Sequence, residues 1–285
     1  MRREIQHIFS GEQVHEGAGV KLHRAFGYFE APLFDPFLML DDFRSDNPED
    51  YLKGFPWHPH RGIETITYLL KGDVEHGDSL GNSGITKAGN VQWMTAGSGI
   101  IHQEMPKGDG NGSMHGFQLW ANLSSENKMV DPEYREISAE EIPVVKRDDG
   151  SRIKVIAGKI DGIAGPAKGI GIDPEYLDVS IPQGFEFIHP TKTGYTAFIY
   201  ITAGEGTING QKVVNRSLVL FDDGEELAVN TDETPLSFLL LTGKPIKEPI
   251  FWRGPIVMHT AEELEKAFKE YENGTFIKHS KPRGV

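Results

Sequence analysis

The feature that most limits what this chain can build is the shortness of its apolar runs. ETITYLL (64–70), HGFQLWANL (115–123), RIKVIAG (152–158), TAFIYITAG (196–204), SLVLF (217–221) and LSFLLLTG (236–243) are each 5–9 residues long. They are rich in β-branched and aromatic residues, and turn signals drawn from the chain's 33 glycines and 17 prolines separate them. Runs of this length and composition suit a pleated surface and not a core helix, so the pattern predicts an all-β sandwich or barrel. One segment near the end reads as a helix. Thr260 and Glu263 have capping-box spacing, Leu264, Ala267, Phe268 and Tyr271 form one apolar stripe, and Asn273-Gly274 closes it. Ser138 and Glu141 repeat the capping-box spacing over a shorter stretch that Pro143 cuts off.

A weak internal repeat sets the expected domain organisation. HPHRGIETITYLLKGDVEHG, from His58, and HPTKTGYTAFIYITAGEGTING, from His189, both open on His-Pro, enter an apolar strand and reach a glycine turn, at Gly72 and Gly204. Two copies about 130 residues apart predict two similar β domains in tandem. The join falls in the polar stretch 124–149, giving an N-terminal domain over 1–140 and a C-terminal domain over 141–285.

Composition removes several functional classes. With 29 Lys plus Arg against 42 Asp plus Glu, the net charge is −13. The basic footprint of direct nucleic-acid binding is absent, and attraction to anionic membranes is disfavoured. The chain has no cysteine, so disulfides, thiolate metal sites, Fe–S clusters and cysteine nucleophiles are excluded. No stretch approaches the roughly 20 apolar residues of a membrane helix, and MRREIQHIFSGEQ lacks the apolar region of a secretory signal. The expectation is a soluble, cytoplasmic protein (nuclear if eukaryotic), and a monomer, since two fused barrels can bury their cores without a partner.

Five of the 11 histidines fall between residues 58 and 115. His58 and His60 are two apart, and Pro59 between them pushes the preceding residue into extended backbone, so both side chains project from one strand face. His102 and Glu104, in IHQEM, repeat the arrangement. Two such strands facing each other inside a barrel would bring three imidazoles and one carboxylate to one point. That set suits a single borderline divalent ion, whether iron, manganese, nickel, copper or zinc, and leaves coordination positions open for a substrate oxygen, O2 or water. Glu64 is also aimed inward by alternation and is the fallback ligand, or a partner for a ligand imidazole. His7, His15, His23, His76, His259 and His279 are isolated. His189 is followed by Thr191 where the first copy has His60, which makes it a surface or satisfied core histidine. His115 either faces the cavity or caps its strand. Phe43, Phe55, Trp57, Met94, Phe117 and Trp120 lie near the site in sequence, as core or as the mouth for a flat aromatic ligand, and Gln118 shares a face with Trp120.

These motifs resemble a family. GFPWHPHRGIETITYLLKGDVEHGDSLGN and AGSGIIHQEMP, followed by HGFQLWANLS, are similar to the two metal-site motifs of cupins in their pirin form. DPFLMLDDF (35–43) and the closing EPIFWRGPIVMHTAEELEKAFKEYENGTF are also pirin-like. The resemblance implies a bicupin, two tandem antiparallel β-barrels of jelly-roll type with a short C-terminal helix. It also implies one metal in the N-terminal barrel, with His58, His60, His102 and Glu104 as ligands, and none in the C-terminal barrel. The general cupin pattern instead places its carboxylate at Glu64, a proline at Gly97 and an asparagine at Pro106; the chain follows the pirin version at each point.

Resemblance to pirins further implies a quercetin 2,3-dioxygenase activity, in which a flavonol ring is opened with O2 and carbon monoxide is released. The small aromatic substrate and O2 would meet at the metal, with Glu104 as the catalytic base. No organic cofactor is expected. The alternative from the same resemblance is a non-enzymatic, metal-responsive co-regulator of transcription. The acidic balance implies that it would work through a protein partner and not by phosphate contact.

Overall fold

A computed structural model describes residues 1–279. The chain is mostly antiparallel strand and forms two compact units. One comprises Gln13–Ala31, Phe37–Ala139 and 246–279; the other comprises Met1–Glu12, Pro32–Pro36 and Glu140–Pro245. The compact units thus differ from a division into 1–140 and 141–285 at both termini. The reason is non-local pairing. Strand Ile5–Phe9 pairs with Leu218–Phe221, and the buried Arg3 guanidinium donates to the carbonyls of Asp222, Lys192 and Tyr195.

In the first unit a seven-stranded sheet runs, in spatial order, Glu133–Ile137, Val91–Thr95, Ile63–Lys71, His115–Asn122, Phe37–Asp42, Val20–Phe26 and Glu12–Glu16. A four-stranded sheet of Phe55–His60, Ile100–Gly108, Asp73–Asp78 and Ser83–Thr86 supplies the other wall. Side chains of the two sheets meet inside, as where Thr67 donates to Glu104 and the His60 ring meets Trp120 edge-on. Leu38, Met39, Ile63, Met94, Ile100 and Trp120 are among the apolar residues packed there.

The second unit is built on a ten-stranded sheet whose centre is Thr196–Ile208, Leu236–Gly243 and Glu175–Ile181. Its interior is filled by aliphatic and aromatic side chains such as Ile199, Ile201, Val229, Phe238 and Leu240. All six apolar runs read from the sequence fall on strands.

The expected C-terminal helix spans Ala261–Glu272, and both halves of its capping box are present. Glu263 N donates to Thr260 Oγ1, and Thr260 N donates to Glu263 Oε2. The shorter box at Ser138 forms only a turn, because Pro143 leaves no room for continuing helical hydrogen bonds. No helix among the described residues is long and apolar enough to cross a membrane.

Candidate metal centre

Strand pairing brings the histidines together. Phe55–His60 runs antiparallel to Ile100–Gly108 with His58 directly opposite His102 and His60 opposite Ile100. Along Ile100–Gly108 burial alternates, so Ile100, His102, Glu104 and Pro106 all point inward. The three rings converge, with centroids 4.8 Å (His58–His60), 4.4 Å (His58–His102) and 5.0 Å (His60–His102) apart. One ligand atom from each lies within 4.8 Å of the others, which is close enough for one ion.

The hydrogen bonds fix where the lone pairs point. His58 Nδ1 lies 2.9 Å from the Pro56 carbonyl oxygen, and His60 Nδ1 lies 3.2 Å from that of Pro255. A carbonyl oxygen only accepts, so each Nδ1 carries the proton of the neutral ring and each Nε2 presents a lone pair. Those two Nε2 atoms face each other at 3.0 Å. Both ring nitrogens of His102 are buried without a hydrogen-bond partner. Two buried imidazoles and a half-buried one crowd together, with the lone pairs of His58 and His60 facing each other and the His102 nitrogens unpartnered; this is repulsive unless a cation lies between them, so the donor set fits a borderline divalent metal. Burial, reinforced by the neighbouring imidazoles, holds His60 and His102 well below the ordinary histidine range, which keeps both rings neutral and able to ligate.

Glu104 sits beside this group but is held from behind. Thr67 Oγ1 donates to its Oε1 (3.1 Å) and Gln118 Nε2 to its Oε2 (2.9 Å), and that Oε2 is 3.9 Å from His102 Nε2. Trp120 Nε1 donates to Gln118 Oε1 at 3.0 Å, which forces the Gln118 amide nitrogen toward Glu104. Gln118, whose role the sequence left open, therefore links Trp120 to the carboxylate.

Glu64 has a different place from the one alternation suggested. Its oxygens accept from Thr95 Oγ1 (2.7 Å) and Trp93 Nε1 (3.1 Å), and it bonds to no imidazole. The chain breaks direction at Gly62 (φ +78°), where a Cβ would come within 2.0 Å of the Val257 carbonyl oxygen. Glu64 consequently lies in the other sheet, opposite Thr95, and the inward count from His58 does not carry across the turn. Burial pushes its carboxyl upward despite the two donors.

The remaining histidines stay outside the cluster. His189 is buried, stacks on Phe187 and contacts Glu175 at 3.2 Å; its register partner is Leu227, where His58 has His102. Thr191, in the place of His60, accepts from Arg3. His76 stands opposite Glu104 on the adjacent strand, but its ring stacks on Tyr134. His115 begins its strand, half-buried, with its ring against Phe117.

His58 and His60 open onto a cleft of about 680 Å³, whereas His102 and Glu104 are buried more deeply. Three aromatic rings lead outward from His60 in sequence of contact: Trp120 (5.1 Å), Trp252 (5.8 Å from Trp120) and Tyr28 (5.4 Å from Trp252). Arg24 borders the cleft with its fork on Asp41 (2.8 and 2.9 Å) and one nitrogen on Glu16 (2.9 Å). Of the aromatics named from the sequence, Phe55 and Trp120 line the cleft. Phe43, Met94 and Phe117 are core, and Trp57 is exposed. Tyr28, Arg24 and Trp252 carry no local signal that would have marked them.

Comparison with known proteins agrees with this architecture. Residues 19–121 match the Pirin family model, and residues 176–277 match that of the pirin C-terminal cupin domain. A pirin-like protein of Caulobacter vibrioides is 44% identical over 96% of this chain and 99% of its own length. The crystal structure of quercetin 2,3-dioxygenase from Acinetobacter baumannii superposes with a TM-score of 0.88 at 30% identity, covering 97% of this chain and 99% of that one. A bacterial pirin of Escherichia coli, solved in complex with nickel(II), shares the fold at 24% identity (TM-score 0.64; 84% of this chain, 98% of that one). The chain belongs to the pirin family.

Proposed function

We propose that this pirin is a metal-dependent dioxygenase that opens the ring of a flavonol with O2 and releases carbon monoxide. The observation that carries the reading is the juxtaposition of a group of converging imidazole lone pairs with an aromatic-walled cleft. The likeness to a quercetin 2,3-dioxygenase along nearly the whole of both chains supports it.

His58, His60, His102 and Glu104 would hold one divalent ion, with iron the first candidate; nickel is the ion named for the Escherichia coli pirin. A bound ion supplies Lewis acidity toward the substrate oxygen and a site that brings O2 beside it. The chain's own groups do the rest. Trp120, Trp252 and Tyr28 offer ring faces against which a flat substrate stacks, and the cleft's volume falls within the usual range of roughly 300–1,000 Å³ for small-molecule sites. Glu104 takes the proton of the flavonol 3-hydroxyl, with Thr67 and Gln118 fixing the orientation of its carboxylate. Burial around His102 and Glu104 keeps water from the reacting atoms.

The test is turnover of quercetin by protein loaded separately with iron, manganese, nickel, cobalt or copper, following O2 uptake and carbon monoxide release together. Stoichiometric consumption and release is the expected result. No turnover with any of these ions would overturn the enzymatic reading in favour of a metal-responsive binding protein.

A further inference from the structure

The C-terminal segment from Ile246 packs into the first unit, and several of its contacts fall on the three residues that follow Pro59. His60 Nδ1 faces the Pro255 carbonyl. The Arg61 carbonyl accepts from Val257 N at 3.1 Å. The carbonyls of Gly62 and Val257 share one donor, Lys128 Nζ, at 2.8 and 3.0 Å. The Arg61 side chain reaches further along the same segment. Its Nη1 donates to Glu270 Oε2 (2.8 Å), its Nη2 to the Phe276 carbonyl (2.7 Å), and its guanidinium lies 4.1 Å from the Phe276 ring centre. Arg61 is 2% exposed, so this is a buried clasp and not a surface ion pair.

From this geometry we infer that Arg61 is a positioning residue for the metal centre: it fastens the C-terminal segment so that the Pro255 carbonyl holds His60 with its Nε2 lone pair facing His58 and His102. The inference rests on the metal-centre reading for its consequence, but its structural part concerns the metal-free ring. Pro255 lies in the turn between strands Phe251–Arg253 and Ile256–Met258, so its carbonyl goes where that hairpin goes. The hairpin is pinned at Val257, and the helix Ala261–Glu272 that follows is pinned at Glu270. With the clasp opened, the proton of His60 is free to move to Nε2, and the fraction of rings able to ligate falls. Partners that orient a metal-bound histidine typically contribute about 10–100-fold to metal affinity.

The experiment compares full-length wild type with Arg61→Leu, Glu270→Ala and Glu270→Gln. The readouts are nickel(II) affinity by competition titration and the ¹⁵N imidazole spectrum of the metal-free protein at pH 8. We expect Arg61→Leu and Glu270→Ala to weaken nickel binding about 10–100-fold and to convert His60 from one Nδ1–H tautomer to a mixture. Glu270→Gln keeps an oxygen for Arg61 and should recover most of both. Leu227→Ala, in the other unit, controls for stability: it should lower the melting temperature and move neither readout. Melting temperatures that fall in the clasp variants with affinity and tautomer unchanged would reduce Arg61 to a merely structural residue and overturn the inference. If Arg61→Leu does not fold, Thr260→Ala loosens the same segment at its helix cap. A smaller shift in the same direction then supports the inference, and none refutes it. Wild type that binds no nickel, but whose His60 tautomer still depends on Glu270, would sink the metal reading and leave the clasp standing.

Discussion

His58 and His60 turn their Nε2 atoms toward each other at 3.0 Å while their Nδ1 atoms lie against the carbonyls of Pro56 and Pro255. The first of those partners is two residues away and the second is 195. Each carbonyl fixes a tautomer, and the two tautomers together leave a pair of lone pairs with no proton between them. The expected consequences follow from this arrangement.

One ion should bind per chain, and only in the first unit. Metal analysis of His60→Ala should show its loss, and His189→Ala should retain it, because the ring of His189 faces Glu175 and its register partner is Leu227. Equal loss in both variants would contradict a single site.

The two buried carboxylates, Glu104 and Glu64, should separate cleanly. Glu104→Gln keeps an oxygen but removes the charge and basicity, and should reduce flavonol turnover by at least about 10²-fold with part of the metal retained. Glu64→Gln places an amide N–H against Trp93 or Thr95, both of which now donate, and should cost about 1–3 kcal/mol in urea unfolding. Its nickel affinity should stay within a few-fold of wild type. A dead Glu64→Gln enzyme beside an active Glu104→Gln would reverse the assignment.

Stability of the metal-free protein should depend on pH with a definite sign. His60 and His102 are held well below the ordinary value of about 6.5 that they regain on unfolding. Below that value the unfolded chain takes up protons that the folded chain refuses. Their contribution is therefore fully present above about pH 6.5 and is lost as pH falls toward their depressed values. Urea unfolding between pH 8 and 5 should show the decline, and a His102→Gln variant should show a shallower one. Parallel curves for the two proteins would remove His102 as a source. Metal occupancy should decline over the same range, since only neutral rings ligate.

Trp252→Ala should raise KM for a flavonol about tenfold, equivalent to roughly 1.4 kcal/mol of lost stacking, while changing kcat less. Trp252 belongs to the cleft wall and touches Trp120 and Tyr28 but none of the histidines' bonding nitrogens. Steady-state kinetics decide it; a collapse of kcat at unchanged KM would place the residue's effect on the chemistry and not on substrate binding.

What the sequence determined by itself is what short-range physics controls. Pro59 and strand alternation put His58 and His60 on one face, and the same alternation buries His102 with Glu104. Turn residues between short β-branched runs give an all-β chain, and the Thr260–Glu263 box starts the helix Ala261–Glu272. The departure of the second copy from the first is local as well, because Thr191 stands where the first copy has His60. Tertiary structure decided everything that depends on which distant strands meet. Glu64 followed a turn at Gly62 into the other sheet, where Thr95 and Trp93 engage it. Strand Ile5–Phe9 pairs with Leu218–Phe221, the segment from Ile246 joins the first unit, and Trp252 and Pro255 thereby reach the cleft and the His60 ring. Alternation and capping act over two to four residues, so they are written in the local pattern. A carbonyl 195 residues from the imidazole it orients is placed only by the packing of the whole unit.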